Sequence, residues 1–222
     1  KSISVVVDTP GWFDPFAKSL SDILCQQGHR AKFVRNYAEV DEGDIAFFLS
    51  CTRITPISIL SRNEWNLVVH ASDLPKGRGF SPLVWQILEG VNEIPVTMIL
   101  MAEEVDAGDI VMQRQLKFQG HELNKEMRAK LGQSIVEMCV DFVKIPTPPA
   151  RRIQAGAPSW YRRRHPQDSR IDPLKTIDSQ FELFRVVDND SYPAFFDYRG
   201  HRFIVRIDDA GKIPVETDRK KS

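Results

Sequence analysis

No apolar run in the sequence approaches the roughly 20 residues needed to span a bilayer, so a membrane-embedded chain is not expected. An excess of one charge is missing too. The 30 basic and 30 acidic residues cancel, and the whole-chain field favours neither nucleic acid nor anionic lipid. Cysteine is scarce: Cys25, Cys51 and Cys139 are scattered, odd in number and without metal-ligand spacing. They read as reduced, buried core residues of a cytoplasmic protein, and no metal is expected. The Walker loop, the zinc pattern, G-x-G-x-x-G and G-x-S-x-G are all absent, and there is no internal repeat. The first residues already read as a strand, which leaves no room for a signal peptide.

What is present is an ordinary globular composition, 42% hydrophobic and 27% charged over 222 residues. That length suits one large domain, or a domain with a small appendage. "SISVVV" (2–7) is short, continuous and β-branched, the pattern of a buried parallel strand. Phe16, Leu20, Ile23 and Leu24 then mark an amphipathic helix that stops at Gly28. Strands are expected over "AKFVRNY", "GDIAFFLS" and "WNLVVHAS", with a short helix at "TPISILSR". "SPLVWQILEG" reads as a helix with Ser81 as N-cap and Pro82 at the first position. Two strands, "IPVTMILMA" and "DIVMQRQLKF", flank the acidic turn "EEVDAGD", and a long helix follows over 123–143. Beyond the Pro-rich connector "KIPTPPARR" come a short helix near "TIDSQFELFRVV" and a hairpin turning at Arg199-Gly200. The expected class is α/β: a mainly parallel sheet with helices on both faces, plus a small C-terminal helix and β-hairpin appendage. The expected boundaries are 1–145, 146–212 and a polar tail over 213–222.

In an open parallel sheet, ligands gather beyond the carboxyl ends of the strands. Three segments belong there: "DTPGWFDP", "SCTRIT" and "HASDLPKGRG". His70 ends a strand, and the loop behind it supplies flexible backbone, Lys76, Arg78 and free N–H groups. A lone histidine is usually structural, and this loop could simply be solvated. "VDAGDI" adds Asp106 and Asp109, either of which could orient an imidazole or remain a solvated turn residue. Glu103 and Glu104 read as a solvated pair. Trp12, Phe13 and Trp160 could stack on a planar ligand or pack in the core. Arg162-Arg163-Arg164-His165 could hold phosphate or lie on the surface, and His29, His121 and His201 are given no role.

"VVHASDLPKGRG", the helix after it and "PVTMILMAEEVDAGDI" together resemble the folate-dependent formyltransferases. Within that family "SWYRRRHPQDSRID" and "LFRVVDNDSYPAFFDYRGHRFIV" are most similar to the nucleotide-sugar N-formyltransferases, of the type acting on UDP-4-amino-4,6-dideoxy sugars. The resemblance implies a Rossmann-like fold, N10-formyltetrahydrofolate as cosubstrate, His70 as the catalytic histidine and Asp106 as its support. It also implies that Thr52, Ile54 and Val105 meet the folate, with Lys76, Arg78, Trp160, Tyr161, Arg162 and Arg164 on the sugar-nucleotide side. One departure stands out. The family asparagine two residues before the histidine is Val68 here. Asn66 cannot replace it, because four residues of strand span roughly 13 Å. The oxyanion donor is then a protonated His70, a backbone N–H of the 71–79 loop, or an ordered water.

Three acceptors compete. Methionyl-tRNA calls for a larger basic C-terminal domain than the stretch after Pro149 provides. Glycinamide ribonucleotide leaves "WYRRRHPQDSRID" without a task. A nucleotide-linked amino sugar uses its arginines for the diphosphate and its aromatics for the base. A non-catalytic folate-binding homologue, with Val68 marking lost chemistry, stays open. The expected partners are thus folate and a nucleotide sugar, not nucleic acid or membrane, with self-association into a homodimer left open.

Overall fold

The structure, a computed structural model, describes residues 1–147 and 149–213. The polar tail, apart from its first residue, lies outside the described residues. The chain begins with β1 (Ser2–Val6), α1 (Asp14–Gln26), β2 (Arg30–Val34), a 3₁₀ turn (Tyr37–Glu39), β3 (Gly43–Phe48), α2 (Ile57–Leu60) and β4 (Asn63–His70). It continues through β5 (Arg78–Gly79), α3 (Pro82–Leu88), β6 (Glu93–Leu100), β7 (Ile110–Lys117) and α4 (Asn124–Lys144). The last part holds β8 (Trp160–Tyr161), α5 (Phe181–Val186) and the hairpin β9 (Ala194–Tyr198) and β10 (His201–Val205).

Six strands form the central sheet in the order β2-β1-β3-β4-β6-β7. The first four are parallel, while β6 runs against β4 and β7 against β6. Period-two alternation sorts their side chains between two faces. Ile3, Val5, Ile45, Phe47, Trp65 and Leu67 join the large core under α1 and α4. Val6, Ala46 and Phe48 point the other way, where cover is thinner and includes Val40, Tyr37 and α2's Ile59. Val68 packs with this second group, and His70 shares its face by alternation.

Several local expectations change. Ser81 precedes α3 in a left-handed conformation and makes no side-chain cap, so Pro82 alone marks that helix start. Trp12 packs its edge against Phe13, and Phe13 is fully buried in the main core rather than free for a planar ligand. The cysteines are unpaired as expected, but Cys139 is the buried one; Cys25 is exposed and Cys51 half-buried.

The appendage has a small core of its own around Ile171, Phe184, Val187 and Ala194. A buried charge ties it to the sheet. Arg185 has no exposed surface, and donates to Asn92 Oδ1 at 2.8 Å, Glu182 Oε2 at 2.6 Å and Glu122 O at 3.2 Å. The Glu122 carboxylate lies 3.7 Å from the Arg185 Nη2 and accepts from Lys130 Nζ and the Gln119 N–H. Burial alone would push the Glu122 carboxyl up, but Lys130 and the backbone donors outweigh it and hold it down to about 2.

A depressed folded pKa means that Glu122 stabilises the protein fully above its ordinary value of 4.5, and loses that contribution as pH falls toward about 2. Glu122→Gln is therefore expected to lower stability at neutral pH, with the gap to wild type closing through that window in urea unfolding. Arg185→Leu, which strands Glu122 and Asn92, is expected to cost about 3–5 kcal/mol at neutral pH. A loss below about 1 kcal/mol, the scale of a surface pair, would show that the network carries no such load.

Candidate active site

The carboxyl ends of β1, β3 and β4 lie in register, since Val6 pairs Phe48 and Phe48 pairs Val68. Just past β1, Asp8 turns its side chain inward with no exposed surface. Its carboxylate accepts from Thr52 N at 2.9 Å, Arg53 N at 2.8 Å, Tyr37 OH at 2.9 Å and Thr9 Oγ1 at 3.0 Å. Burial pushes this carboxyl up, but the four donors prevail and hold it below the usual range. Asp8 thereby fixes the 50–55 loop. Thr52 is exposed on it with its Oγ1 on Thr9, and Ile54 projects with 82% of its surface free. Thr55 Oγ1 is buried there without a partner.

His70 is nearly covered, and both ring nitrogens are engaged. Nε2 donates to Gly77 O at 2.8 Å, and Nδ1 faces Asp106 Oδ2 at 3.6 Å. A carbonyl only accepts, so Nε2 carries a hydrogen in this arrangement, whereas the approach of Nδ1 to Asp106 is longer than a hydrogen bond. Asp106 comes from the turn between β6 and β7. Met101 N bonds to Asn66 O, four residues before His70, so the turn must double back over the sheet to bring Asp106 up. Asp106 has a left-handed backbone, φ 54°, and a Cβ on Gly108 would run into Leu100 O. Gly79 N donates to the same Asp106 Oδ2 at 2.9 Å. Asp109 uses its carbonyl to receive Leu100 N, as part of the ladder.

The remaining expected residues separate into groups. Arg78 is buried, not a free cation: it donates to Glu104 Oε1 and Gln154 Oε1, each at 2.8 Å. Glu104 is thus paired rather than merely solvated. Lys76 is exposed, and Val105 stands half-free beside Asp106. β8 lies parallel to β5, which sets Trp160 beside Arg78 and Tyr161 beside Gly79. Trp160 is exposed with the Arg78 guanidinium 5.7 Å from its ring centre. Tyr161 stacks on Trp85 at 6.2 Å, and its hydroxyl donates to Glu89; burial and that carboxylate push the phenol up. Arg162 lies over Trp85 and grips Asp168 with both amino groups, which holds that carboxyl down to about 2. Arg164 is half-buried and donates to the carbonyls of Val186 and Asp168.

Val68 presents only an apolar side chain, and Asn66 spends its amide on Leu60 O and Asn63 O. Sequence reasoning passed over Asp8 and Gln154. Asp8 had a signal: a carboxylate directly after a buried strand must find donors. Among the described residues, no cluster of His, Cys, Asp and Glu could hold a metal ion, and no helix is long and apolar enough to cross a membrane.

A histidine and a carboxylate held together over the open face of an α/β sheet can accept and return a proton, as acid–base enzymes require. The formyl transferase family model matches residues 19–143, more than half of the chain, and the chain belongs to that family of one-carbon group transferases. Methionyl-tRNA formyltransferase from Clostridium thermocellum superposes with a TM-score of 0.77 at 23% identity, over 91% of this chain and 90% of that one. A 4-N formyltransferase from Francisella tularensis gives 0.74 at 19% identity, over 96% and 99%. HypX from Aquifex aeolicus in complex with tetrahydrofolic acid gives 0.73 at 17%, over 93% of this chain and 37% of that one. At these identities the likeness is one of fold.

Asp8→Ala is expected to free the 50–55 loop and leave Thr52 N and Arg53 N without their acceptor, at about 1–3 kcal/mol for each buried group. Because the folded carboxyl sits below its ordinary value of 3.8, the wild-type advantage should be complete above that pH and fade as pH falls below it. Urea unfolding across the acid range measures the gap. A gap that stays constant down to full protonation would mean that the charge is not what holds the loop.

Proposed function

We propose that the chain is an N-formyltransferase moving a formyl group from N10-formyltetrahydrofolate to the amino group of a nucleotide-linked amino sugar, a UDP-4-amino-4,6-dideoxy sugar in the first instance. The observation that carries this is the covered His70–Asp106 pair, set on the thinly covered face of a formyl transferase fold. Residues suited to a flat, partly apolar ring lie on two of the loops at this end: Ile54 and Val105 project, and Thr55 Oγ1 lacks a partner. Covering a side chain such as Ile54 contributes about 1.5–3 kcal/mol. A relative of this fold is described in complex with tetrahydrofolic acid, which supports folate as cosubstrate.

The cosubstrate supplies an activated formyl carbon. The chain has three tasks around it: to align a neutral amine, to take its proton, and to offset the charge gathering on the formyl oxygen. His70 takes the proton at a ring nitrogen and returns it to the leaving nitrogen, and Asp106 stabilises the ring while it is charged. Val68 offers no donor for the oxygen, and most N–H groups of the loop are committed. Ser72 N bonds to His70 O, Lys76 N to Asp73 O, Gly77 N and Arg78 N to Ser159, and Gly79 N to Asp106. The reading therefore assigns the donor role to His70 once it has taken the amine's proton, when the charged ring can hold the oxyanion until the proton passes to the leaving nitrogen. Since Gly77 O occupies Nε2, that carbonyl must give way as the amine arrives.

On the acceptor side, residues 1–145 supply the catalytic unit and 146–212 the sugar-nucleotide contacts. Arg162 and Arg164 already have partners, so Lys76 and Arg163, without ion pairs among the described residues, carry the diphosphate. Arg163 lies over Phe80 at 4.5 Å. Fold neighbours include a protein described as a sugar N-formyltransferase, matched along 97% of its length, and a methionyl-tRNA formyltransferase, so the choice of a sugar rests on the arginine-aromatic cluster and not on the fold.

His70→Ala is expected to lower turnover by at least about 100-fold while folate binding persists. Asp106→Asn should slow the chemical step and alter its pH profile, since an amide cannot stabilise the charged ring. Tetrahydrofolate release, with a formyl mass shift on a panel of UDP- and dTDP-amino sugars, methionyl-tRNA and glycinamide ribonucleotide, tests the whole reading. Formylation of either non-sugar acceptor alone would overturn the acceptor, and undiminished turnover in folded His70→Ala would overturn the mechanism.

A further inference from the structure

Gln154 lies beyond the 19–143 span of the family match, on the segment that runs from α4 to β8. That segment is pinned on both sides of it. Arg152 exchanges two backbone hydrogen bonds with Ile110, and Ser159 receives Gly77 N on its hydroxyl and Arg78 N on its carbonyl. Between these anchors the Gln154 carboxamide spends both its hydrogens and its oxygen across a gap. Nε2 donates to Asp106 O at 2.7 Å and to Gly108 O at 2.8 Å, while Oε1 accepts from Arg78 Nη2 at 2.8 Å. A carboxamide suits this place because it donates two hydrogens on one side and accepts on the other; a carboxylate or an ammonium cannot do both.

These contacts close a ring. Gly79 N holds the Asp106 carboxylate, Gln154 holds the Asp106 carbonyl, Arg78 holds Gln154, and Arg78 is joined covalently to Gly79. Asp106 is thus fixed at both ends in a backbone conformation, φ 54°, that non-glycine residues rarely adopt. Other charged groups near the ring are occupied or turned outward: Glu104 pairs with Arg78, Asp73, Lys76 and Glu103 are exposed, and Asp106 is the carboxylate within 4 Å of His70.

We infer that Gln154 is a positioning residue, which sets the Asp106 carboxylate against His70 by holding the Asp106 main chain from outside the family-matched region. This rests on the reading of His70 and Asp106 as the proton-handling pair. Gln154→Ala should lower kcat by about 10- to 100-fold, the scale of a displaced catalytic group. KM for either substrate should change little, because the residue's hydrogen bonds go to Asp106, Gly108 and Arg78. Gln154→Glu separates the two ends of the side chain. It keeps the acceptor for Arg78 but sets a carboxylate against the carbonyls of Asp106 and Gly108, so it should lose kcat as Gln154→Ala does. Wild-type turnover in Gln154→Glu would show that Gln154 serves Arg78 alone and would overturn the inference.

A second readout needs no turnover: the ¹⁵N resonances of the His70 ring, which report hydrogen and charge at each nitrogen. Both variants should change the Nδ1 signal, the atom that faces Asp106. An unchanged signal in the two variants would sink the proposal whatever the enzyme formylates, whereas absence of formyl transfer by wild type would sink the reaction reading instead. Should Gln154→Ala fail to fold, Gln154→Glu, of the same size and tied more strongly to Arg78, carries both measurements.

Discussion

Asp106 reaches His70 because the chain between β6 and β7 folds back over the sheet instead of running on past its edge. The rest of the site depends on that reversal. It needs a glycine at 108, where Leu100 O leaves no room for a side chain, and a left-handed residue at 106. It brings the carboxylate to the carboxyl end of β4, where an open parallel sheet normally gathers ligands. The pair sits on the second face of the sheet, and the strand ends of β1 and β3 contribute loops beside it. The 74–79 segment, held by the connector that lies on it, then covers the end of β4.

Charge is handled differently inside this molecule and on its surface. Asp8, Glu122 and Arg185 are covered, and each has several donors or acceptors placed around it. Burial of an unpaired ion costs several kcal/mol, so these groups are tolerable only as complete sets. Lys117 and Glu93, in contrast, face solvent with about two-thirds of each side chain exposed, and such a pair contributes about 0–1 kcal/mol. The covered sets join parts of the chain that are far apart in sequence: β1 with the 50–55 loop, and α5 with the region before α4. They are the bolts of the fold.

Much of this fold could be read in advance because its elements announce themselves locally. Apolar and β-branched runs gave β1, β3 and β4, and the Pro-rich connector marked where α4 ends. His70 was visible as a histidine leaving a strand into a Pro/Gly loop. The direction of β6 was not, since periodicity says nothing about which way a strand runs beside its neighbour. The partners of Arg162 and Arg164 were invisible for a related reason. Asp168 is only six residues from Arg162, but nothing in "RRRHPQD" says that the 3₁₀ turn at Pro166–Ser169 will bring it back. The partners of Gln154, and those of Asp8 other than Thr9, are distant along the chain, so neither role could be read locally.

The packing of β8 on β5 leaves different freedom at two neighbouring glycines. A Cβ at Gly79 would come within 2.5 Å of the Tyr161 carbonyl oxygen, and every residue type at 161 carries that oxygen. A Cβ at Gly77 would instead meet the Tyr161 ring at 2.7 Å, and a smaller residue at 161 removes the ring. Both positions have left-handed backbones, so Asn or Asp, which tolerate that region, are the natural alternatives to glycine. Over evolutionary drift, positions 77 and 161 can therefore change together, Asn or Asp arriving as the aromatic ring departs, once Ser72, whose Cβ would lie 3.1 Å away, gives a little. Position 79 has no such correspondent, and its glycine must be inherited unchanged for as long as β8 lies against β5.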